Sequence, residues 1–199
     1  NATSNAITLQ RDLPFTIQVM NNIENFCRYI WINGEFIEFD SAKVHITTHS
    51  IQYASSVFEG IMCYHGKVFN IDKHLLRLLA SAKIMGLRLL YSKENLASAI
   101  TELVNINSAN SASYYIRPLV WRQNNQILIK ADSSAPASTA IIMKQHSPSE
   151  INKPVNLLLS SWVKPPTNSV PIQCKGSGNY MTSILAKQEA LAFGATEAV

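Results

Sequence analysis

Charge is scarce in this sequence. Asp, Glu, Lys and Arg make up 15% of its 199 residues, below the usual share of about a quarter, which argues against disorder and for surface buried against a partner or a further part of the chain. No apolar run approaches the roughly 18 residues of a membrane span, and no charged stretch followed by an apolar run opens the chain, so neither a membrane partner nor a secretion signal is read. Cysteine is limited to Cys27, Cys63 and Cys174, an odd number without C-x-x-C spacing. That excludes a zinc knuckle and a disulfide framework and favours reduced thiols in a cytoplasmic protein. The net charge is +4, but the basic residues are scattered singly and form no nucleic-acid footprint. There is no HExxH, no GK[ST], no internal repeat and no low-complexity tract.

Apolar residues are plentiful at 47%, enough for the core of one large or two small domains. Residues 1–27 are polar and mixed and read as an N-terminal arm or the remnant of a tag. Asn33-Gly34 between Tyr29-Ile30-Trp31-Ile32 and Glu35-Phe36-Ile37-Glu38-Phe39 is the strongest short signal for a hairpin. Val44 to Tyr53 reads as loop or strand on account of Thr47, Thr48 and Ser50, and its His45 and His49, though four apart, read as ordinary hydrogen-bonded histidines rather than metal ligands. Ser55 to Tyr64 leads into a strand that turns at His65-Gly66. Leu75, Leu78, Leu79, Ala82 and Met85 form the apolar stripe of a helix, with Asp72 as its expected cap and Gly86 past its end. Leu96, Ala99, Ile100, Leu103 and Val104 mark a second helix, from about Ser92 to Asn107. Tyr114 to Trp121 reads as a strand that Pro118 would place at a sheet edge or bulge. Ser138 to Lys144 and Val155 to Val163 read as further strands. Between these two, His146 to Pro154 is the best linker between domains.

Three stretches carry candidate chemistry. Lys175 heads Gly176-Ser177-Gly178, and Asn179 is placed to cap the helix that runs from Met181 toward Gly194. A lysine on such a loop is either a solvated surface charge or a desolvated nucleophile toward carbonyl compounds. The third glycine of GxGxxG is missing, so a nucleotide loop is the weaker reading. Arg77 falls inside the leucine stripe, where it either snorkels to water or reaches a fixed anion with its planar fork. Arg117, flanked by aromatics, either binds a carboxylate or pairs with a structural acid.

Seven blocks in order carry a resemblance over residues 29 to 199: Tyr29-Ile30-Trp31-Ile32-Asn33-Gly34; Asp40-Ser41-Ala42-Lys43-Val44-His45; Ser56-Val57-Phe58-Glu59-Gly60-Ile61; His74-Leu75-Leu76-Arg77-Leu78 with Ser81-Ala82-Lys83-Ile84; Tyr115-Ile116-Arg117-Pro118-Leu119; Ser160-Ser161-Trp162; and Lys175 through Gly178-Asn179-Tyr180 to Ala190. The sequence resembles the fold-type IV pyridoxal phosphate enzymes and, within them, the branched-chain amino acid aminotransferases. The resemblance implies a mixed α/β, two-domain architecture: a small N-terminal α/β domain at 28–145, a linker at 146–154, and the beginning of a larger, barrel-like α/β domain at 155–199. It implies pyridoxal 5'-phosphate as cofactor, a Schiff base on Lys175, Arg77 on the cofactor phosphate and Tyr180 near the phenolic oxygen of the ring. Tyr53, Phe58, Gly60, Tyr115 and Arg117 match positions of the substrate pocket, some of them facing the partner subunit's site in an expected homodimer. The implied reaction is transamination of leucine, isoleucine or valine with 2-oxoglutarate, with Arg117 as the candidate to assist with the distal carboxylate of glutamate.

Two positions depart from the family pattern. Met62 stands where an arginine usually follows Phe58-Glu59-Gly60-Ile61, and Lys144-Gln145-His146-Ser147-Pro148 replaces a PWG-type aromatic loop. The resemblance also places the acid that bonds the pyridine nitrogen, and part of the phosphate cup, beyond Val199, so a truncated gene product, a fragment or an incompletely recorded sequence is expected, and the sequence does not choose among the three. A D-amino acid transaminase or aminodeoxychorismate lyase of the same fold, and a non-catalytic chain, are the rival expectations.

Overall fold

The computed structural model describes residues 25–107, 112–124, 127–130, 132, 134–146 and 154–199. Most of the expected N-terminal arm and most of the expected linker lie outside these residues. Asn25 to Cys27 already bond to the sheet, through Cys27 N–H to Met143 O and Gln145 N–H to Asn25 O at 2.9 and 2.8 Å.

The hairpin forms as the sequence predicts. Tyr29–Ile32 (β1) pairs with Glu35–Glu38 (β2), Ile32 opposite Glu35. Asn33 and Gly34 take φ of 49° and 101°, the positive values that let a two-residue turn match the twist of its strands. A short helix, His49–Tyr53 (α1), precedes Ser56–Phe58 (β3), Ile61–Tyr64 (β4) and Lys67–Val68 (β5). The helices Ile71–Ile84 (α2) and Lys93–Ile106 (α3) come next, and then two nine-residue strands, Ser113–Trp121 (β6) and Ser138–His146 (β7). Together the strands make an antiparallel seven-stranded sheet in the order β2-β1-β7-β6-β4-β5, with β3 beside β6 in line with β4.

Period-two alternation divides that sheet into two faces. Trp31, Val57, Ile61, Ile116, Val120, Ile141 and Met143 point to one side and meet Leu75 and Leu78 of α2 and Leu96, Ile100 and Leu103 of α3 in a single buried cluster. Their neighbours, among them Phe58, Tyr115 and Arg117, occupy the other side. Ser92 caps α3 in a reciprocal capping box with Asn95.

Several local expectations are overturned. Asp72 does not cap α2: the helix starts from Asn70, which is in the left-handed region without a side-chain bond, and Asp72 sits in the first turn paired with Lys93. There its negative charge complements the helix dipole instead. Val44 to Tyr53 is not loop or strand throughout, because its last five residues form α1. The first free N–H groups of this helix are taken by distant carbonyls, His49 N–H by Asn124 O and Ser50 N–H by Arg122 O, which local propensity does not report. Pro118 lies not at an edge but in the middle of β6, opposite Ile141 of β7. Its carbonyl accepts from Glu59 N–H at 2.9 Å, so its nitrogen faces the Glu59-Gly60 break between β3 and β4, where no ladder bond is lost. Val155 to Val163 is not one long strand: only Leu157–Leu158 (β8) pairs, in parallel, with Glu197–Ala198 (β9). Strand length depends on neighbours as much as on apolar character, and Leu159 and Val163 are exposed.

Candidate active site

The loop carrying Lys175 is tied down along its main chain. Gly176 pairs with Val57, and Phe58 N–H donates to Lys175 O at 3.1 Å, so the loop runs as an extra edge on β3. From the other side Lys175 N–H donates to Ser81 Oγ of α2 at 3.0 Å, and Cys174 is buried with its Sγ against Ser81 O. The loop then enters a 3-10 turn, Ser177–Tyr180, that runs directly into the helix Met181–Ala192 (α4). Asn179 is therefore not the cap of that helix. Its Nδ2 donates back to Cys174 O at 2.9 Å and Pro171 O at 3.3 Å, closing the loop that presents the lysine. Gly194 ends the helical run with φ of 75°, as its position predicts.

The Lys175 side chain is half-buried and directed. Its Nζ donates to Tyr180 Oη at 3.0 Å and stands 5.3 Å from the Phe58 ring and 5.6 Å from the Tyr180 ring. It opens on a cleft of about 500 Å³ whose lining includes Arg77, Lys164, Asn179, Tyr180 and Ser183. Three cations and no carboxylate line this cleft among the described residues, an arrangement that attracts an anionic ligand.

Arg77 shares this cleft with Lys175, and its fixed anion within the chain is Glu59. Its Nη2 donates to Glu59 Oε2 at 2.7 Å and its Nε to Oε1, while His74 Nδ1 lies 2.9 Å from Oε2. The Glu59 side chain is 0% exposed and that of Arg77 51%. Burial pushes the Glu59 carboxyl up, but the bonds from Arg77 and His74 outweigh it and hold the pKa below the ordinary carboxylate value. The same bond raises the already high pKa of Arg77.

Phe58, Gly60, Tyr115 and Arg117 come together on the sheet face away from the helices. The Arg117 guanidinium lies 4.9 Å from the Phe58 ring and 5.2 Å from the Tyr115 ring and donates to Tyr115 Oη at 3.1 Å. No ion pair to Arg117 occurs among the described residues. Gly60 lies under Tyr115, and a Cβ there would fall 2.3 Å from the tyrosine oxygen. Phe58 links this group to the lysine, its ring 5.0 Å from that of Tyr180. Tyr53 is not brought to the cleft: its hydroxyl bonds Ile127 O and its ring packs on His49 at 4.7 Å. Met62 stands opposite Tyr115 across the ladder. His45 bonds Thr47, and His49 bonds Ser55 Oγ and Ile129 O; no cluster of metal-ligating residues occurs among the described residues. Sequence reasoning assigned no part to Glu59, Ser81 or Lys164. Only Lys164, on its stiff Pro165-Pro166 loop, carries a local signal.

Residues 56–199 match the family model for amino-transferase class IV. The probable branched-chain-amino-acid aminotransferase of Rickettsia typhi is 37% identical over 180 residues, which is 90% of this chain and 62% of that protein. Among solved structures, the branched-chain aminotransferase of Thermoproteus uzoniensis with norvaline superposes with a TM-score of 0.81 at 34% identity, over 86% of this chain and 59% of that one. The T.th. branched-chain amino acid aminotransferase complexed with N-(5'-phosphopyridoxyl)-L-glutamate gives 0.79 at 34% identity, over 87% and 58%. The chain thus spans about 60% of the length of these relatives. Since the matched segment contains β3, α2 and the lysine loop, the elements that build the cleft, the chain belongs to the class IV amino-transferases.

Proposed function

We propose that the protein transaminates branched-chain L-amino acids (leucine, isoleucine and valine) with 2-oxoglutarate, using pyridoxal 5'-phosphate held by Lys175. The observation that carries this reading is the Lys175 amine, 3.0 Å from the Tyr180 phenol, in a cationic cleft that also contains Arg77. The residues present fit the cofactor: an amine for its aldehyde, a phenol for the ring oxygen, and a guanidinium whose planar fork suits a phosphate. When bound, the cofactor supplies the electron sink that makes the substrate Cα–H acidic.

The chain's own groups do the rest. Lys175 Nζ would hold the cofactor covalently and, once the substrate's amine has displaced it there, would be the free amine that takes and returns the proton at the substrate Cα. Tyr180 Oη accepts from that amine and keeps it directed into the cleft. Phe58 and Tyr115 offer apolar walls to an aliphatic side chain. Arg117, its guanidinium held against two rings, assists with the distal carboxylate when glutamate uses the same pocket. Tyr53, away from Lys175 within this chain, is assigned to the partner subunit's site in a homodimer. An apolar pocket of about 280 Å³ between α1 and the sheet face away from α2 and α3, lined by Ile51, Leu119 and Ile142 among others, offers apolar surface for such a pairing. The same reading divides the chain into a small domain at 28–145, a linker at 146–154 and the start of a cofactor-binding domain at 155–199.

The test is a substrate profile of the protein at its full natural length. L-leucine, L-isoleucine or L-valine with 2-oxoglutarate should be turned over at least about ten times more efficiently than D-alanine, the ratio a shaped apolar pocket can supply. Preference for D-alanine, or lyase activity on aminodeoxychorismate alone, overturns the substrate assignment. Gly60→Ala provides a second check. The new methyl displaces Tyr115 and with it Arg117, so kcat/KM for leucine is expected to fall about tenfold or more while the far-UV circular dichroism stays unchanged. Wild-type kinetics in that variant would show that the Tyr115 position is not used.

A further inference from the structure

We infer that Glu59 is the positioning residue for Arg77: it takes up one edge of the guanidinium from the sheet side and leaves the remaining N–H groups to the lysine cleft. The inference rests on the phosphate role proposed for Arg77 above, and it concerns what makes that role effective.

The geometry is specific. Glu59 occupies the break between β3 and β4, its main chain held by the 2.9 Å bond to Pro118 O and its side chain 0% exposed. Both carboxylate oxygens are engaged: Oε1 by Arg77 Nε, and Oε2 by Arg77 Nη2 at 2.7 Å, His74 Nδ1 at 2.9 Å and Gly60 N–H at 3.4 Å. A buried carboxylate is expensive, and a buried ion pair is often no more stabilising than apolar side chains of the same volume. At this position the sheet face already holds Val57 and Ile61 in the core, so an apolar residue would serve packing alone. What the carboxylate adds is a fixed direction for an arginine whose side chain is otherwise half in water. Arginine has five N–H donors in a rigid fork. The Glu59 contacts account for Nε–H and one Nη2–H, leaving three on a side chain that lines the cleft.

Two effects oppose each other and predict different signs. Orientation in advance of binding avoids the cost of immobilising a long side chain, equivalent to about 3- to 10-fold in affinity. Against that, Glu59 places a negative charge behind the cation that meets the phosphate, so its removal would tighten phosphate binding if charge alone governed the site. Positioning requires the first effect to win.

The experiment uses the full-length protein and compares its affinity for pyridoxal 5'-phosphate with that for pyridoxal, by absorbance titration; the ratio isolates the phosphate contribution. Glu59→Gln is expected to reduce the ratio about 3- to 10-fold, leaving pyridoxal affinity and borohydride-trapped attachment to Lys175 as in the wild type. An unchanged or increased ratio overturns the inference. Should Glu59→Gln fail to fold, judged by its thermal transition, Glu59→Asp keeps the charge and shortens the reach by one methylene, and the same loss is expected. In an Arg77→Ala background, Glu59→Gln should cause no further loss; an additional loss would mean that Glu59 does not act through Arg77. Failure of the wild type to attach either aldehyde at Lys175 overturns the proposed function instead, and with it the basis of this inference.

Discussion

Lys175→Ala in the full-length protein is expected to lower transamination about 10⁴-fold or more, because one substitution removes both the proposed covalent hold on the cofactor and the group proposed to move the Cα proton. Non-covalent binding of pyridoxal 5'-phosphate should survive in weaker form, since Arg77 and Tyr180 remain. The fold should also survive. The bonds that anchor the loop are main-chain bonds, Lys175 N–H to Ser81 Oγ and Phe58 N–H to Lys175 O, and alanine keeps both, so the stability change is expected within about 1 kcal/mol. The checks are the turnover rate, the thermal transition, and the intact mass after borohydride, which should carry the cofactor in the wild type and not in the variant. Activity within tenfold of the wild type, or a cofactor adduct on another residue, would exclude Lys175 from the chemistry.

Arg77→Ala is expected to weaken both cofactor retention and stability. It removes the proposed phosphate contact, and a lost charge-assisted contact to phosphate reduces affinity roughly 10- to 100-fold. It also strands the Glu59 carboxylate, whose side chain is 0% exposed, with only His74 and Gly60 as partners. The cost of an unpaired buried charge is expected toward the lower end, about 2–3 kcal/mol, because the half-exposed site of Arg77 lets water reach the gap. The pH dependence distinguishes this from a packing defect. In the wild type the Glu59 pKa is depressed by its partners, so its contribution to stability is present above the ordinary carboxylate pKa and is lost as pH falls through the folded-state value. Without Arg77, burial dominates and lifts the folded-state pKa, so the carboxyl opposes folding as pH rises through that higher value. The difference in unfolding free energy between wild type and variant should therefore be small in acid and grow toward neutral pH, as denaturant titrations across that range would detect. A difference that does not vary with pH would attribute the loss to packing and not to the stranded charge.

Short-range signals were legible where the chain satisfies itself locally. Asn33-Gly34 sets its turn by its own positive φ values between two flanking strands, with its bonds to Ser138 and Thr139 of β7 added to that, and the Ser92 cap needs only Asn95 three residues on. The leucine stripes of α2 and α3 report their buried faces directly. Reading failed where a partner distant in sequence supplied the missing bonds. Thr47, Thr48 and Ser50 speak against a helix, yet carbonyls of Arg122 and Asn124 complete the one that starts at His49. Pro118 argues against a central strand until the Glu59-Gly60 break is seen to lie opposite its nitrogen. Asp72 and Asn179 both have the chemistry of a cap, and both spend it elsewhere, on Lys93 and on the Cys174 carbonyl.

The same division runs through the candidate site. Lys175 and Tyr180 are five residues apart on one loop and turn, so their approach is a local matter, but the residues by themselves left Lys175 either a surface charge or a nucleophile, and only the resemblance to a family gave Tyr180 a part. The sequence likewise determined that Arg77 would fall inside the leucine stripe of a helix, and that Phe58 and Gly60 would straddle Glu59. Only the tertiary structure decided that Glu59 closes on Arg77, that Ser81 holds the Lys175 backbone, and that Tyr53 stands away from the cleft. The physical reason is that a helix or a strand dictates which way a side chain leaves the backbone, whereas its partner is set by the docking of α2 and the lysine loop against the break between β3 and β4, a contact between residues that composition and periodicity treat as unrelated.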